Sequence, residues 1–148
     1  MTADICEILP PATSSAYLAM ATLRTNIHTE SEFVRLVDGI QRPEGYRLVG
    51  AFEPSDPAAR AVAGFRIGHA LSFGRYLYVD DLSTLESARR HGYAGRLLAW
   101  LFTEARRLGC DQVRLDSGVG PTRTDAHRLY LNAGMAIAAH HFTHVLDR

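Results

Sequence analysis

The sequence has no excess of one charge, no long apolar run and few cysteines. Its 148 residues include 16 basic and 16 acidic side chains, which gives a formal net charge of +0 at pH 7. Such a chain generates no overall field that attracts nucleic acid or an anionic membrane, so neither kind of partner is expected. A run of about 18 apolar residues is also missing, which argues against a membrane-spanning helix.

The two cysteines, Cys6 and Cys110, have neither CxxC spacing nor a matching histidine pattern. We interpret them as free thiols in a reducing compartment. Asp4 and Glu7 lie where a secretion signal would carry basic residues and then an apolar run. Together these absences predict a cytoplasmic protein. The length and the apolar share of 47% fit one domain, residues 1–148, with a substantial core.

The sequence does contain a clear change of hydrophobic period. After a short strand at 5–9, N-cap candidates and apolar residues three or four positions apart predict helices within 13–23 and 29–40. From Tyr46 onward, β-rich segments separated by short loops predict an antiparallel meander. Its predicted strands are 46–52, 61–71 and 75–85, with bends or bulges at Gly64 and Gly68.

A longer amphipathic helix is predicted to follow and to end near Leu108. Its buried stripe should leave Arg96, Glu104 and Arg107 outside. A strand at 112–116 would then pair in parallel with the sheet. The last predicted elements are a short helix from Thr124 or Asp125 to Gly134 and a hairpin of strands 135–139 and 141–146. This order predicts an α/β fold (α+β by stricter accounting) with a mixed sheet and helices on both faces.

The segment Arg89-Arg90-His91-Gly92-Tyr93-Ala94-Gly95 lies between the third strand of the meander and the long helix. Glycines allow the backbone to approach a ligand closely, and the first N–H groups of a helix are unpaired donors at the positive end of its dipole. The arginines add positive charge. The segment therefore predicts a phosphate-binding loop.

Farther along the chain lies Tyr130-Leu131-Asn132-Ala133-Gly134-Met135. The succession of a strand, Q/R-x-x-G-x-G/A, a long helix, a strand and Y-x-x-x-G-F/M resembles the GCN5-related N-acetyltransferases. Residues 89–94 match the first motif, and Tyr130 and Gly134 match the second, with Met135 where Phe is commoner. The order of elements matches over residues 3–146, which is nearly the whole chain.

The resemblance implies acetyl-CoA as the co-substrate and indicates which residues would contact it. Backbone N–H groups of residues 89–95 would hold its pyrophosphate. In this family the two central strands splay apart beside the position of Leu82-Ser83-Thr84, where the amide-bearing arm of the cofactor pairs like a strand. A main-chain N–H of Leu82 or Thr84 would stabilise the oxyanion of the reaction. Asn132 is a further candidate for a hydrogen bond to the cofactor.

The resemblance also implies direct transfer to an amine within a ternary complex, which needs a proton donor and a proton acceptor. Tyr130 resembles the general acid of the family, because a phenol with a pKa of about 10 stays protonated at neutral pH. As the proton acceptor we expect Asp81 first and Asp80 second, with an ordered water as the remaining option. Aspartate is unusual in an apolar strand, and burial would raise its pKa.

The sequence leaves open which face of the strand each aspartate occupies and what the pair does. Simple alternation places Asp80 on the face of Leu82 and Asp81 on the opposite face, but a bulge, which is frequent at this strand in the family, would change that. The pair could also pin loops by hydrogen bonds, or bind only the cation of the substrate. His140, His141 and His144 cluster farther on, but their alternation along a strand suits a single metal site poorly, and no metal is expected.

The predicted function is transfer of an acetyl group from acetyl-CoA to a primary amine, with a small molecule as the first choice of acceptor. The alternatives are a protein lysine or N-terminus as acceptor, or a non-catalytic module that binds acyl-CoA. A homodimer is favoured over a monomer, since the alternating segment at 140–145 could pair with a second copy.

Overall fold

A five-stranded mixed sheet, in the order β1-β2-β3-β4-β5, organises most of the chain. The structure, a computed structural model, describes residues 3–147. The strands are β1 (Asp4–Ile8), β2 (Arg47–Phe52), β3 (Ala61–Ala70), β4 (Gly74–Thr84) and β5 (Gln112–Leu115). Neighbours are antiparallel except that β5 pairs in parallel with β4. A parallel pair needs a crossover connection, and here it contains the long helix α3 (Tyr93–Arg107). The predicted meander and its parallel extension are confirmed.

Two shorter helices, α1 (Tyr17–Leu23) and α2 (Glu30–Leu36), precede the meander. The side chain of Thr29 accepts a hydrogen bond from the backbone N–H of Glu32 at 3.1 Å, which caps α2 where the sequence predicts its start. Short helical turns adjoin these helices. A 3-10 turn, Ala12–Ala16, precedes α1, and a π-helical turn, Val37–Gln41, followed by a 3-10 turn, Arg42–Glu44, comes after α2.

Helices cover both faces of the sheet. Leu48 of β2 belongs to the same buried cluster as Met20 of α1 and Phe33 of α2. The preceding residue, Arg47, instead reaches Glu104 of α3. Because successive side chains of a strand point to opposite faces, α1 and α2 lie on one face and α3 on the other. The predicted α/β architecture is confirmed.

The ladder between β3 and β4 contains one bulge. Gly64 pairs with Asp81, whereas the next residue, Phe65, pairs with Val79, so Asp80 has no partner residue on β3. A bulge of this kind adds a residue to one strand and interrupts the alternation of its side chains. The irregularity predicted at Gly64 is therefore confirmed.

Gly68, by contrast, lies in a regular part of the same ladder, opposite Tyr76. The bend predicted there is wrong. Glycine is needed for space instead, because a Cβ built on Gly68 would lie 2.4 Å from the hydroxyl oxygen of Tyr76.

The apolar stripe of α3 is confirmed for its central residues. Those that are buried are Leu97, Leu98, Leu101 and Ala105, while Phe102 and Leu108 are partly exposed. Glu104 is buried as well, with 7% exposure, so its predicted place outside the stripe is wrong. The carboxylate is accommodated there because it accepts hydrogen bonds from Arg107 Nε at 2.7 Å and Arg47 Nη2 at 2.5 Å. The bond from Arg107, with that from Arg47, outweighs burial and lowers the pKa of Glu104 to about 2.

The chain divides into two units, Met1–Leu115 and Asp116–Arg148. The second unit contains a 3-10 turn, Pro121–Arg123, and helix α4 (Thr124–Asn132). Gly134, at φ +89°, follows the end of α4 in the left-handed conformation that favours glycine. The prediction that residues 1–148 form a single domain stays a prediction.

The hairpin predicted over 135–139 and 141–146 is wrong, because the described residues beyond Gly134 form neither strand nor helix. Alternation of apolar and polar residues does not by itself hold a strand, and an isolated hairpin is marginally stable. Phe142 and Val145 are accordingly 91% and 83% exposed. Within residues 3–147, no helix combines the length and the apolar character that a bilayer crossing requires.

Candidate functional site

A cavity of about 380 Å³ lies between α1, α2 and β4, within the first unit. Its apolar lining comprises Met20, Ile27, Phe33, Leu36 and Val37. Its polar lining includes Arg24, Gln41, Tyr46, Arg66, Asp80 and Asp81. This size falls in the range of small-molecule sites, and an apolar wall with a few converging polar groups is typical of them.

The bulge in β4 brings both aspartates of the predicted acid pair into this cavity. Regular alternation would place one of them on the far face of the sheet. Because Asp80 is the extra residue of the bulge, the alternation is interrupted between it and its neighbour, and both side chains lie on the α1–α2 side. Of the two sequence readings of the pair, the one with a bulge describes the structure.

Asp81 has both carboxylate oxygens engaged. Arg24 Nε donates to Oδ1 at 2.7 Å, and the hydroxyl of Tyr46 donates to Oδ2 at 2.6 Å. Tyr46 is buried, and burial, reinforced by the charge of Asp81, raises the pKa of its phenol well above the usual value. The phenol therefore stays protonated and remains a donor. Asp81 is thus held in place by two donors.

Asp80 is engaged through only one carboxylate oxygen. Its Oδ2 accepts a hydrogen bond from Arg66 Nε at 2.7 Å, and its backbone carbonyl accepts one from Arg24 Nη2 at 2.9 Å. Oδ1 has no hydrogen-bond partner within residues 3–147. Burial raises the pKa of Asp80, and the hydrogen bond from Arg66 partly opposes that rise. Asp80 therefore offers the cavity a carboxylate oxygen with a strengthened affinity for protons.

The main chain of β4 continues beyond its pairing with β5. In the described residues the parallel ladder ends with Val79 opposite Leu115, whereas pairing with β3 extends to Thr84. The other edge of β4, at Leu82-Ser83-Thr84, therefore lies past the end of β5, as a splayed pair of strands requires. The Ser83 side chain is buried and its Oγ donates to the carbonyl of Ala19 at 2.7 Å, so it fastens α1 to β4. Main-chain groups are what this segment can offer a ligand.

The predicted phosphate-binding loop has the backbone of an anion site. Arg90 and Gly92 adopt positive φ values of +66° and +79°, and Gly92 is the N-cap of α3. A Cβ on Gly92 would meet nothing within 4 Å, so glycine is needed there for its conformation. Among the described residues, no side chain caps α3 and no acid lies in its first turn, so the helix start has the features expected of an anion site.

The side chains of this loop divide into exposed and anchored groups. Arg89, Arg90 and His91 are exposed. The ring nitrogen Nδ1 of His91 lies 2.9 Å from the carbonyl oxygen of Arg89, to which it can donate. Tyr93 is buried, and its hydroxyl donates to Glu53, the residue that follows β2. Tyr93 thereby fixes the start of α3 and leaves its backbone N–H for a ligand. These groups fit the pyrophosphate of a CoA thioester.

Tyr130 and Asn132 belong to α4 in the second unit. Tyr130 is half-buried, and burial raises the pKa of its phenol, partly opposed by the charge of Arg123. It stays protonated at neutral pH, as a general acid must. Asn132 is exposed at the end of the helix. Both assignments stay predictions.

Sequence reasoning missed Arg24, Tyr46, Arg66 and Gln41. Arg24 and Tyr46 are 57 and 35 residues away in sequence from the aspartate that they contact, and no local pattern marks them. Arg66 carried a usable signal, because it is a charged residue in an otherwise apolar strand that a hairpin would place near the acid pair.

Within the described part of the chain, no group of three or more His, Cys, Asp or Glu side chains is arranged to hold a metal ion.

Comparison with known proteins adds a family. The model of the Acetyltransferase (GNAT) family matches residues 10–135. An aminoalkylphosphonate N-acetyltransferase from Salmonella typhimurium is 33% identical over 82 residues, which are 55% of this chain and 50% of that protein. The chain therefore aligns with about half the length of this curated relative.

Solved structures share the fold at low sequence identity. A transcriptional regulator from Bacillus halodurans C-125 superposes with a TM-score of 0.80 at 18% identity, covering 97% of this chain and 99% of its own. The aminoglycoside N-acetyltransferase AAC(6')-Iy, in complex with CoA, has a TM-score of 0.73 at 16% identity and covers 97% of this chain and 94% of its own. At these identities the likeness describes the fold.

Proposed function

Because the chain belongs to the acetyltransferase (GNAT) family, we propose that it transfers an acetyl group from acetyl-CoA to a small primary amine in the α1–α2 cavity. The observation that carries this proposal is Asp80, which lines a cavity of about 380 Å³ and has one carboxylate oxygen without a partner within residues 3–147. In the same part of the chain, the neighbouring edge of β4 at 82–84 lies past the end of its ladder with β5. The name of the Salmonella relative, an acetyltransferase of aminoalkylphosphonates, supports a small-molecule acceptor.

The donor side of the site consists of the α3 loop and the β4 edge. Acetyl-CoA would supply a thioester whose C–S bond breaks as a C–N bond to the amine forms. The backbone N–H groups of residues 89–95, with Arg89 and Arg90, would bind the pyrophosphate. A main-chain N–H of Leu82 or Thr84 would donate to the thioester carbonyl, where negative charge develops.

The acceptor amine must lose protons, and Asp80 is the group we propose to receive one. The sequence favours Asp81, but both of its oxygens already accept hydrogen bonds, from Arg24 and Tyr46. Asp80 has a free oxygen and a raised pKa, both of which suit a base. Asp81 is then a positioning residue. Tyr130 is proposed to give a proton to the departing sulfur, on the strength of its motif and its protonated phenol.

Cofactor binding is tested first, by thermal unfolding with CoA and with acetyl-CoA. A ligand that binds the folded state at 100 times its Kd stabilises it by about 2.7 kcal/mol, so an upward shift of the Tm is expected. No shift at millimolar ligand would contradict the proposed function. Release of the CoA thiol across a panel of amines, beginning with 2-aminoethylphosphonate, then measures turnover. A protein that binds acetyl-CoA but acetylates no small amine would indicate a protein acceptor or a binding module.

The proposed base is tested by Asp80→Asn. A general base contributes about 10²- to 10⁴-fold, so kcat should fall by at least about 10²-fold, and the acid limb of the pH profile of kcat/KM should disappear. Asp4→Asn, on β1 and exposed, is the matched control and should leave both unchanged. If Asp80→Asn keeps its acid limb, the base is another group. Size-exclusion chromatography of the same preparations tests the homodimer, which stays a prediction.

A further inference from the structure

Two arginines of the α1–α2 cavity, Arg24 and Arg66, have more hydrogen-bond donors than their contacts with Asp80, Asp81 and Gln41 use. We propose that the acceptor carries an acidic group as well as its amine, and that Arg24 and Arg66 bind this acid. The inference rests on the proposed function, since it names the class of acceptor for the same cavity: short-chain amino acids in the broad sense, with a carboxylate, phosphonate or phosphate.

The hydrogen bonds of the two guanidinium groups follow the same pattern. Arg24 donates from Nε to Asp81 and from Nη2 to the carbonyl of Asp80. Arg66 donates from Nε to Asp80 and from Nη2 to Gln41 Oε1 at 2.6 Å. Both therefore use the side edge of the guanidinium. Each Nη1 has no partner within residues 3–147, which leaves the end edge formed by Nη1 and Nη2 with unused donors.

The unused end edge is the feature that selects an acid. A guanidinium binds carboxylate or phosphonate through two parallel N–H groups, and the end edge has that geometry. Arg24 also keeps 43% of its side-chain surface exposed, although it lines the cavity. The exposed part of Arg24 can therefore exchange its contact with water for a bidentate contact with an acid of the ligand.

The charges of the cavity complement an amine and an acid together. Two aspartates and two arginines line it, so the site carries no net charge. The free Oδ1 of Asp80 suits an ammonium group, and the two guanidinium groups that contact Asp80 suit an anion beside it. The site would therefore suit a ligand whose amine and acid are separated by a short carbon chain. Phe33 and Val37 provide an apolar wall for those spacer carbons.

The test compares acceptors that differ only in the acid. The release of CoA thiol is measured with 2-aminoethylphosphonate, β-alanine and propylamine, which share a primary amine on a short chain. Hydrogen bonds between charged groups are worth about 10- to 100-fold, so wild-type kcat/KM should favour an acid-bearing amine over propylamine by at least that factor. The phosphonate and carboxylate arms identify which acid is preferred.

The arginines are then tested as Arg24→Gln and Arg66→Gln. In each variant the ratio of kcat/KM for the acid-bearing amine to that for propylamine should fall by about tenfold or more. The ratio within one variant cancels any general loss of folded enzyme. Arg35→Gln, an exposed arginine of α2 outside the cavity lining, is the matched control and should keep the wild-type ratio.

The outcomes separate this inference from the function on which it rests. Thiol release with propylamine as fast as with the acids, or an unchanged ratio in both variants, would overturn the inference and leave the acetyltransferase intact. No release with any amine would count against the proposed function instead. Should both variants fail to fold, wild-type inhibition decides: methylphosphonate or acetate should compete with the amine. Absence of competition by either anion would refute the acid site.

Discussion

Gly64 is a glycine because Tyr46 occupies the space that a side chain would need. A Cβ built on Gly64 would lie 1.7 Å from the hydroxyl oxygen of Tyr46, which is the donor to Asp81. The phenol could yield only by leaving its hydrogen bond. Gly64, opposite the bulge on β3, therefore leaves the room that Tyr46 needs to donate to Asp81.

We expect Gly64→Ala to lower the free energy of unfolding by about 3 kcal/mol, the upper end of the usual cost of overpacking. Urea unfolding measures this. Gly39→Ala is the control, because a Cβ there meets nothing within 4 Å, and its stability should stay within about 1 kcal/mol of wild type. A Gly64→Ala protein with the wild-type urea midpoint would show that Tyr46 moves aside without cost.

At this scale the sequence indicates charges but not their partners. Asp80 and Asp81 stand out because aspartate is disfavoured in an apolar strand, which is a local property. Arg24 and Tyr46 are recruited by tertiary packing across 57 and 35 residues, and nothing in their own neighbourhoods encodes the contact. Which carboxylate oxygens already accept hydrogen bonds depends on those partners, and for that reason we propose Asp80 as the base although the sequence favours Asp81.

Among the elements, the loop that leads into α3 contains backbone strain. Arg90 has a φ of +66°, a region in which a residue with a side chain loses about 1–2 kcal/mol relative to its usual conformation. Strain of this kind persists where the surroundings impose it and is frequent at ligand sites. Arg90 occupies a position where glycine would fit the backbone better, and its guanidinium is the group that we propose contacts the pyrophosphate.

Arg90→Gly should therefore separate stability from binding. We expect unfolding stability equal to or up to about 1 kcal/mol above wild type, because the relief of strain offsets the flexibility that glycine adds. The Kd for acetyl-CoA should rise by about tenfold through loss of the charged contact. Thermal unfolding and calorimetry measure the two. Arg89→Gly, at a residue with φ −65°, should lose stability as well as affinity. A less stable Arg90→Gly than Arg89→Gly would contradict the strain.

Glu104 connects α3 with β2 through the hydrogen bond from Arg47, and it also accepts one from Arg107 within α3. Arg47 in turn pairs with Glu7 of β1 at 2.8 Å. Its pKa falls from 4.5 to about 2 on folding. A depressed pKa contributes stability that is complete above the unfolded value and is lost as the pH falls through the folded value. The acid-sensitive window is thus from pH 4.5 to about 2.

Glu104→Gln should be less stable than wild type at neutral pH, and the difference should narrow as the pH falls through this window. Urea unfolding at a series of pH values measures it. Glutamine retains the shape and an acceptor but has no proton to gain, so its own contribution is independent of pH. Curves for the two proteins that stay parallel down to about pH 2 would show that Glu104 keeps an ordinary pKa.

Elements with a strong period were predictable, and elements that depend on a partner were not. The meander, β5 and α3 follow from two- and four-residue patterns that persist for most of each segment. The strands expected at 135–139 and 141–146 show the same alternation but lack a ladder in the described structure. Burial of Glu104 was not predicted, because it depends on counterions, and one of them, Arg47, comes from another element, β2.

For the molecule as a whole, family and fold were within reach of the sequence because the two glycine motifs and the order of elements are local or sequential properties. The acceptor is not, since the cavity combines side chains from α1, α2, β3 and β4 and from the segments that join them. Its chemistry can be read only after these elements are packed. The match to the Acetyltransferase (GNAT) family over residues 10–135 confirms the predicted family, and the acceptor has to be found by experiment.

The whole chain also lacks lysine: all of its 16 basic residues are arginine. A guanidinium stays protonated and is no acceptor for an acetyl group, so the protein has no side-chain amine of its own to modify. Incubation with acetyl-CoA alone should give no acetylated side-chain nitrogen, measured by mass spectrometry of peptides. Acetyl groups on internal peptides would contradict this. CoA release with an added amine therefore reports on that amine.

The bulge at Asp80 makes the proposed base an insertion into the sheet instead of a replacement within it. Every other residue from Val79 to Thr84 keeps a partner on β3, so removing residue 80 would join two positions that already match neighbouring residues of that strand. The ladder would become continuous, and the cavity would lose its free carboxylate. A one-residue deletion would thus remove the proposed base and keep the strand pairing, so a fold of this kind can gain or lose such a carboxylate in a single genetic step.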